Sequence, residues 1–184
     1  GLSELKVIEA GSFIKLLHSG QPSIGLLTHG HGDRHGIPVR VPVTRDGTLR
    51  YVLSAIVKPD AILQVVQRQQ VPDSWIVSVF DAAGHRVARS RDHERQLGTL
   101  PSPSMQTMMT ELGDREASTG FTVSLEGERV QTAVARVNAA RWTVALSLVL
   151  VILVRTVIGL VGAGILVFAL RRYLLPDYLQ SVFT

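Results

Sequence analysis

The chain has 184 residues, no cysteine, and 19 Lys and Arg against 15 Asp and Glu, for a formal net charge of +4. Without cysteine there is no disulfide framework, no thiolate zinc site and no cysteine nucleophile. The isoelectric point near 10.0 would suit a nucleic-acid binder. Up to Arg141, however, 16 basic residues stand against 14 acidic ones and are scattered along the chain, which argues against nucleic acid as a partner.

The length fits one or two domains. The first residue is Gly1 and no charged-then-apolar leader follows it, so the sequence reads as a fragment or processed piece. Residues 2–18 carry apolar side chains at Leu2, Leu5, Ile8, Phe13, Ile14, Leu16 and Leu17, a helical spacing with Ser3 as a cap and Gly11 as an interruption. Residues 19–23 are a turn by composition, residues 24–28 a short strand, and residues 28–36 a His- and Gly-rich segment. Strands are predicted at 37–43 and 49–57, with Asp46-Gly47 between alternating apolar residues as the hairpin signal. Pro59-Asp60 opens an amphipathic helix over 60–70.

A second block begins at Val71. Residues 75–80 and 85–90 read as strands around the turn 81–84, 91–103 as a loop, and 104–112 as a helix with Met105, Met108 and Met109 along one side. Strands follow at 121–125, 128–136 and 142–148. The order strand, strand, helix, strand, strand, strand predicts an α+β domain, a five-stranded antiparallel sheet with a helical connection on one face. The first block repeats part of that order.

Residues 149–170 form an apolar run about as long as a helix needs to cross a bilayer, roughly 20 residues. Their one charge, Arg155, lies near the start, where a long side chain reaches the interface. Arg171 and Arg172 close the run and mark the cytoplasmic side. The expectation is a transmembrane helix over 149–170 with residues 1–148 outside the cytoplasm, periplasmic in a bacterium, and a short cytoplasmic tail over 171–184. Gly159 and Ala163, four apart, would let two such helices pack as a homodimer, although glycine is common in membrane helices without that role.

The segment 20–148 resembles the Cache-type extracellular sensor domain, the PAS-like fold of bacterial histidine kinases and chemoreceptors. The resemblance rests on an ordered set of phrases. These are the turn around Gly20-Gln21-Pro22-Ser23, Val41-Pro42-Val43 with Arg45-Asp46-Gly47 and Tyr51-Val52-Leu53, the pair from Asp81-Ala82-Ala83-Gly84 to Val87-Ala88-Arg89-Ser90, Leu97-Gly98, Leu125-Glu126-Gly127, and Arg141-Trp142-Thr143-Val144 before the apolar run. The long N-terminal helix and first strands of the distal module are missing, and Val149 stands where a proline usually follows the last strand. The resemblance implies a partial membrane-distal module over 1–70, a PAS-like membrane-proximal module over 71–148, no cofactor, and a small-molecule pocket whose occupancy passes along the last strand into the membrane helix of a two-component sensor.

Three sets of residues invite a chemical role. Arg86, Arg89, Arg91 and Arg95 form a basic cluster that would hold a carboxylate by bidentate bonds, or else a solvated strand edge. Together with Tyr51, Arg86 and Arg89 are the candidate ligand contacts. His29, His31, Asp33 and His35 resemble the THxHxDH motif of the metallo-β-lactamase fold, whose His and Asp side chains collect zinc. Arg34 stands where that motif has its third histidine. This segment supports the alternative reading, a membrane-anchored metal-dependent hydrolase, against a polar loop. Asp81 reads as a turn residue bonding nearby backbone amides.

Overall fold

A computed structural model describes residues 7–30, 34–137, 140–149 and 161. Helix α1 spans Ala10–Ser19, with the Glu9 carboxylate accepting from the Ser12 N–H in place of a hydroxyl cap. Gly20 ends it at φ 65, its N–H donating to the Leu16 carbonyl, the left-handed closure that glycine makes without a Cβ clash. The first turn of α1 thus includes Gly11, and the part of the predicted helix over residues 1–6 lies outside the described residues.

The predicted strand 24–28 is two stubs, β1 (Ser23–Ile24) and β2 (Thr28–His29). Both pair antiparallel with the long strand β3 (His35–Arg45), β1 at Val39 and Arg40, β2 at His35 and Gly36. Between them the Leu27 N–H leaves the ladder and donates to Asp81, which is why the pairing breaks. Strand β3 turns through Asp46 (φ 51) and Gly47 (φ 71) into β4 (Thr48–Val57). Positive φ at both central residues is the type I′ geometry that an Asp-Gly pair favours.

Helix α2 (Pro59–Arg68) starts with proline in its first turn, where no N–H is needed. The remaining elements build a five-stranded sheet. They are β5 (Trp75–Phe80), β6 (Arg86–Arg89), the one-turn α3 (His93–Gln96) inside the predicted loop, α4 (Pro103–Leu112), β7 (Ala117–Val123), β8 (Arg129–Val137) and β9 (Trp142–Val149). The strand order is β6-β5-β9-β8-β7, so the last strand lies in the middle. The pairs β5·β6, β5·β9 and β7·β8 are antiparallel. The architecture is α+β, with antiparallel sheets and few helices.

Each face of this sheet buries a separate apolar cluster. On one face Met105, Met108 and Leu112 of α4 pack on Phe80, Val134 and Ala145. On the other, Val66 of α2, with Ile62 and Leu63, packs on Val77, Val79 and Ala88. Each fully buried side chain of this size contributes roughly 1.5–3 kcal/mol. Strand β9 alternates, with Thr143, Ala145 and Ser147 buried on one side, as period two requires.

By contacts the chain divides into two units, Gly1–Leu148 and Val149–Thr184. Apart from Val149 and Val161, the apolar run 149–170 lies outside the described residues, as does the tail 171–184. Among the described residues no helix is long and apolar enough to cross a membrane.

Candidate functional site

Strand β6 is an edge strand whose sequence, Arg-Val-Ala-Arg, reads as half solvated. It is not: all four residues are buried. Residues 97–99 run along its open edge, with the Arg86 N–H donating to the Thr99 carbonyl at 2.9 Å and the Gly98 N–H to the Arg86 carbonyl at 2.8 Å. Helix α2 covers one face and α4 the other side of the sheet. Covering the edge in this way removes its exposed ladder groups and forces two guanidinium groups inside. The solvated-edge reading therefore falls for Arg86 and Arg89, which are 3% and 2% exposed.

Arg89 donates from Nη2 to both carboxylate oxygens of Glu126, at 2.8 and 3.0 Å, and from Nη1 to the Arg91 carbonyl at 3.0 Å. Glu126 sits in the turn between β7 and β8, where the Gly127 N–H closes on the Ser124 carbonyl. Burial pushes the Glu126 carboxyl up, but its hydrogen bonds from Arg89, its own backbone and Ser124 outweigh that and hold it below its ordinary value.

Arg86 has a poorer set of partners. Its Nη1 donates to the Thr99 hydroxyl, and its guanidinium lies 5.0 Å from the Phe80 ring centroid, a cation–π contact. Its Nε has no hydrogen-bond partner among the described residues. Its pKa is lowered to about 10, by burial first and by the neighbouring Arg89 charge second, with Glu126 acting in the opposite direction. Both arginines line a cavity of about 30 Å³ between β5, β6 and the start of α4. Ser78, Thr122 and Ser147 also line it. A row of hydrogen bonds joins Thr122 to Thr132 (2.7 Å) and Thr132 to Ser147 (3.0 Å) across β7, β8 and β9.

The other candidates scatter. Arg91 reaches the Asp73 carbonyl, and Arg95 is exposed. Tyr51 is 74% exposed on β4 and lines neither this cavity nor the larger one. That larger cavity, about 460 Å³, is walled by Thr28, His35, Ile56, Lys58, Asp60 and Leu97 among others. His29 and His35 face each other across β2 and β3 with ring centroids 3.9 Å apart. His31 and Asp33 lie outside the described residues, and among the described residues no three metal-ligating side chains cluster. Asp81 is the turn residue expected: one oxygen accepts from the Ala83 and His85 N–H groups, the other from Leu27.

Sequence reasoning misses Glu126 and Thr99 as partners of the two arginines and misses the hydroxyl row. The strict alternation of Val130, Thr132 and Val134 in β8 is the one signal that places Thr132 on the buried face.

The depressed Glu126 carboxyl has a pH consequence. Its contribution to stability is present above the unfolded carboxylate pKa of about 4.3 and disappears as pH falls through the lower folded value. In urea unfolding from pH 7 to pH 3, the stability gap between the unaltered chain and Glu126→Gln should therefore narrow as the pH falls below about 4. A gap that is constant across this range would mean that Glu126 does not bind Arg89 as a carboxylate.

No family model matches the chain, and no curated protein matches it by sequence. Solved structures do. The extracellular domain of a protein assigned as the histidine kinase mmHK1S-Z3 superposes with a TM-score of 0.65 at 10% identity, over 80% of this chain and 56% of that one. Methyl-accepting chemotaxis protein X gives 0.63 at 14% identity, over 76% and 54%. The sensory domain of the Campylobacter jejuni chemoreceptor Tlp3, with isoleucine bound, gives 0.51 at 15% identity, over 73% and 51%. The chain thus spans about half the length of these structures. Such identities speak for the fold alone, and on that ground the chain has the Cache-like fold of the extracellular sensory domains of histidine kinases and chemoreceptors.

Proposed function

We propose that this chain is the extracytoplasmic small-molecule sensing region of a bacterial transmembrane receptor, a sensor histidine kinase or its chemoreceptor counterpart. The fold shared with sensory domains carries this reading. Residues 1–70 supply part of a membrane-distal module and 71–148 the membrane-proximal one, with α2 packed on the proximal sheet. Residues 149–170 cross the inner membrane, leaving 171–184 in the cytoplasm, and two copies pair along the Gly159 and Ala163 side.

The signalling route follows from β9. It is the central strand, hydrogen-bonded to β5 and neighbouring β8, and its end at Val149 begins the apolar run. Ligand binding that favours one arrangement of the sheet over another would bias whatever that strand is joined to. Of the candidate contacts, Arg86 and Arg89 line the small cavity and Tyr51 does not.

The test is a thermal-shift screen of the full chain in lipid nanodiscs against amino acids, small carboxylates and divalent metals. A saturable shift with an amino acid or carboxylate is expected; its absence across the panel sinks the sensing reading. Nanomolar zinc binding lost in both His29→Ala and His31→Ala, together with hydrolase activity, would favour the metal-dependent hydrolase instead. Membrane topology is tested separately, and the lack of cysteine makes it clean. Arg45→Cys, at an exposed hairpin end, should react with a membrane-impermeant maleimide in intact cells. Ser181→Cys should react only after permeabilisation.

A further inference from the structure

On the α2 side of the five-stranded sheet, away from the Arg86 cavity, a pocket of about 260 Å³ opens between the end of α2 and the start of β5. Buried Val66 and half-buried Trp75 give it an apolar lining. Most of the rest is polar and uncommitted. The side chains of Gln67, Gln70 and Asp73 make no hydrogen bond among the described residues. Arg91 gives one hydrogen to the Asp73 carbonyl at 3.2 Å and keeps its other donors. Ser90 accepts from the Val77 N–H at 3.0 Å, so its own hydroxyl hydrogen stays available. Gln70 stands at φ 50 just past the end of α2, in the left-handed conformation that glycine adopts at least cost. The chain keeps an amide there against the preference of its backbone, and such positions cluster at ligand sites.

We infer that this pocket binds one neutral polyol ring, a monosaccharide or the terminal sugar of a glycan. The charges of its lining, Asp73 and Arg91, cancel, so it favours neither an anion nor an organic cation. A single carboxylate is too few oxygen donors for a hard metal ion. What remains suits hydroxyl groups. Two carboxamides, a carboxylate and a guanidinium are all planar, and each carries polar atoms side by side that can meet two adjacent hydroxyls at once. The amides both donate and accept, as sugar hydroxyls do. They are exposed, and hydroxyls replace the water on them in kind. Trp75 supplies apolar ring surface on which the C–H face of a pyranose can pack. The volume lies just below the roughly 300–1,000 Å³ of pockets for drug-sized ligands, which suits a single ring.

The sugar site goes beyond the sensing reading and does not need it. The thermal-shift panel contains no sugar, so the two stand or fall separately. The test is fluorescence titration of the full chain in lipid nanodiscs, with Trp142→Phe leaving Trp75 as the single tryptophan. The probes are D-glucose, D-galactose, D-mannose and N-acetyl-D-glucosamine, each alone. A saturable change in Trp75 emission is expected with at least one of them, its affinity weakened about tenfold in Asp73→Ala and in Gln70→Gly. Gln70→Gly separates a ligand contact from a structural role. Glycine suits φ 50, so the melting midpoint should be no lower than that of the unaltered chain while binding weakens. Should Trp142→Phe fail to fold, the chain with both tryptophans is titrated, and Trp75→Phe should lose the response. A methyl glycoside that binds as well as the free sugar assigns a glycan terminus, and one that does not assigns the free sugar; either upholds the inference. No saturable change with any sugar of the panel overturns it, as does an affinity unmoved in both Asp73→Ala and Gln70→Gly.

Discussion

Arg40→Ala is expected to destabilise the chain by about 3–5 kcal/mol, the cost of breaking a buried charged pair from one side. The side chain is 4% exposed and ties α1 to β3. Nη1 donates to the Ser12 hydroxyl at 2.7 Å, Nη2 to the Ile8 carbonyl at 2.6 Å, and Nη1 lies 3.8 Å from Glu9. Phe13 lies below the guanidinium at 5.9 Å. Alanine would leave the Ile8 carbonyl without its guanidinium donor and the largely buried Glu9 carboxylate without its ion-pair partner. For a unit of this size the melting midpoint should fall by roughly 10 °C, read by thermal and urea unfolding of the full chain. Arg40→Met/Glu9→Gln removes both charges and should recover part of the loss through a favourable coupling. A single-variant loss under about 1 kcal/mol would place Arg40 in solvent instead.

Nothing in the local sequence singles out Arg40. It sits at the middle of an apolar alternation, Val39-Arg40-Val41, in which a strand with one wet face is the ordinary reading. What internalises it is α1, folded back over β1 and β3, and a helix nearly thirty residues away is invisible to a pattern of period two. Arg89 shows the same limit. Its carboxylate partner is 37 positions away, and the edge it occupies is dry because residues 97–99 run along it. Local chemistry was legible wherever local chemistry decides. The Asp46-Gly47 turn has the positive φ angles its composition demands, Met105 and Met108 face the sheet as their spacing predicts, and β9 alternates to its end. The ordered phrases from Gly20 to Trp142 pointed to the fold that the solved structures share. The candidate site was legible by residue type at Arg86 and Arg89 and illegible in arrangement, because local sequence does not tell which carboxylate reaches which arginine.

Asp81→Ala should be the second large loss, about 3 kcal/mol, since each buried N–H left without an acceptor costs roughly 1–3 kcal/mol. The carboxylate is 2% exposed and accepts three backbone hydrogens at 2.9 Å each. Two belong to its own turn, at Ala83 and His85. The third, from Leu27, comes from the segment between β1 and β2, so one side chain both shapes the β5–β6 turn and fastens the first sheet to the second. Asp81→Asn separates those jobs. Its carbonyl oxygen can keep Ala83 and His85, while its NH₂ would meet the Leu27 N–H donor to donor. About 1–2 kcal/mol should be lost, and amide exchange should accelerate at Leu27 while Ala83 and His85 stay protected. If Leu27 stays protected in Asp81→Asn, the tie between the sheets does not run through this carboxylate. If all three amides are exposed, the asparagine has lost the turn as well.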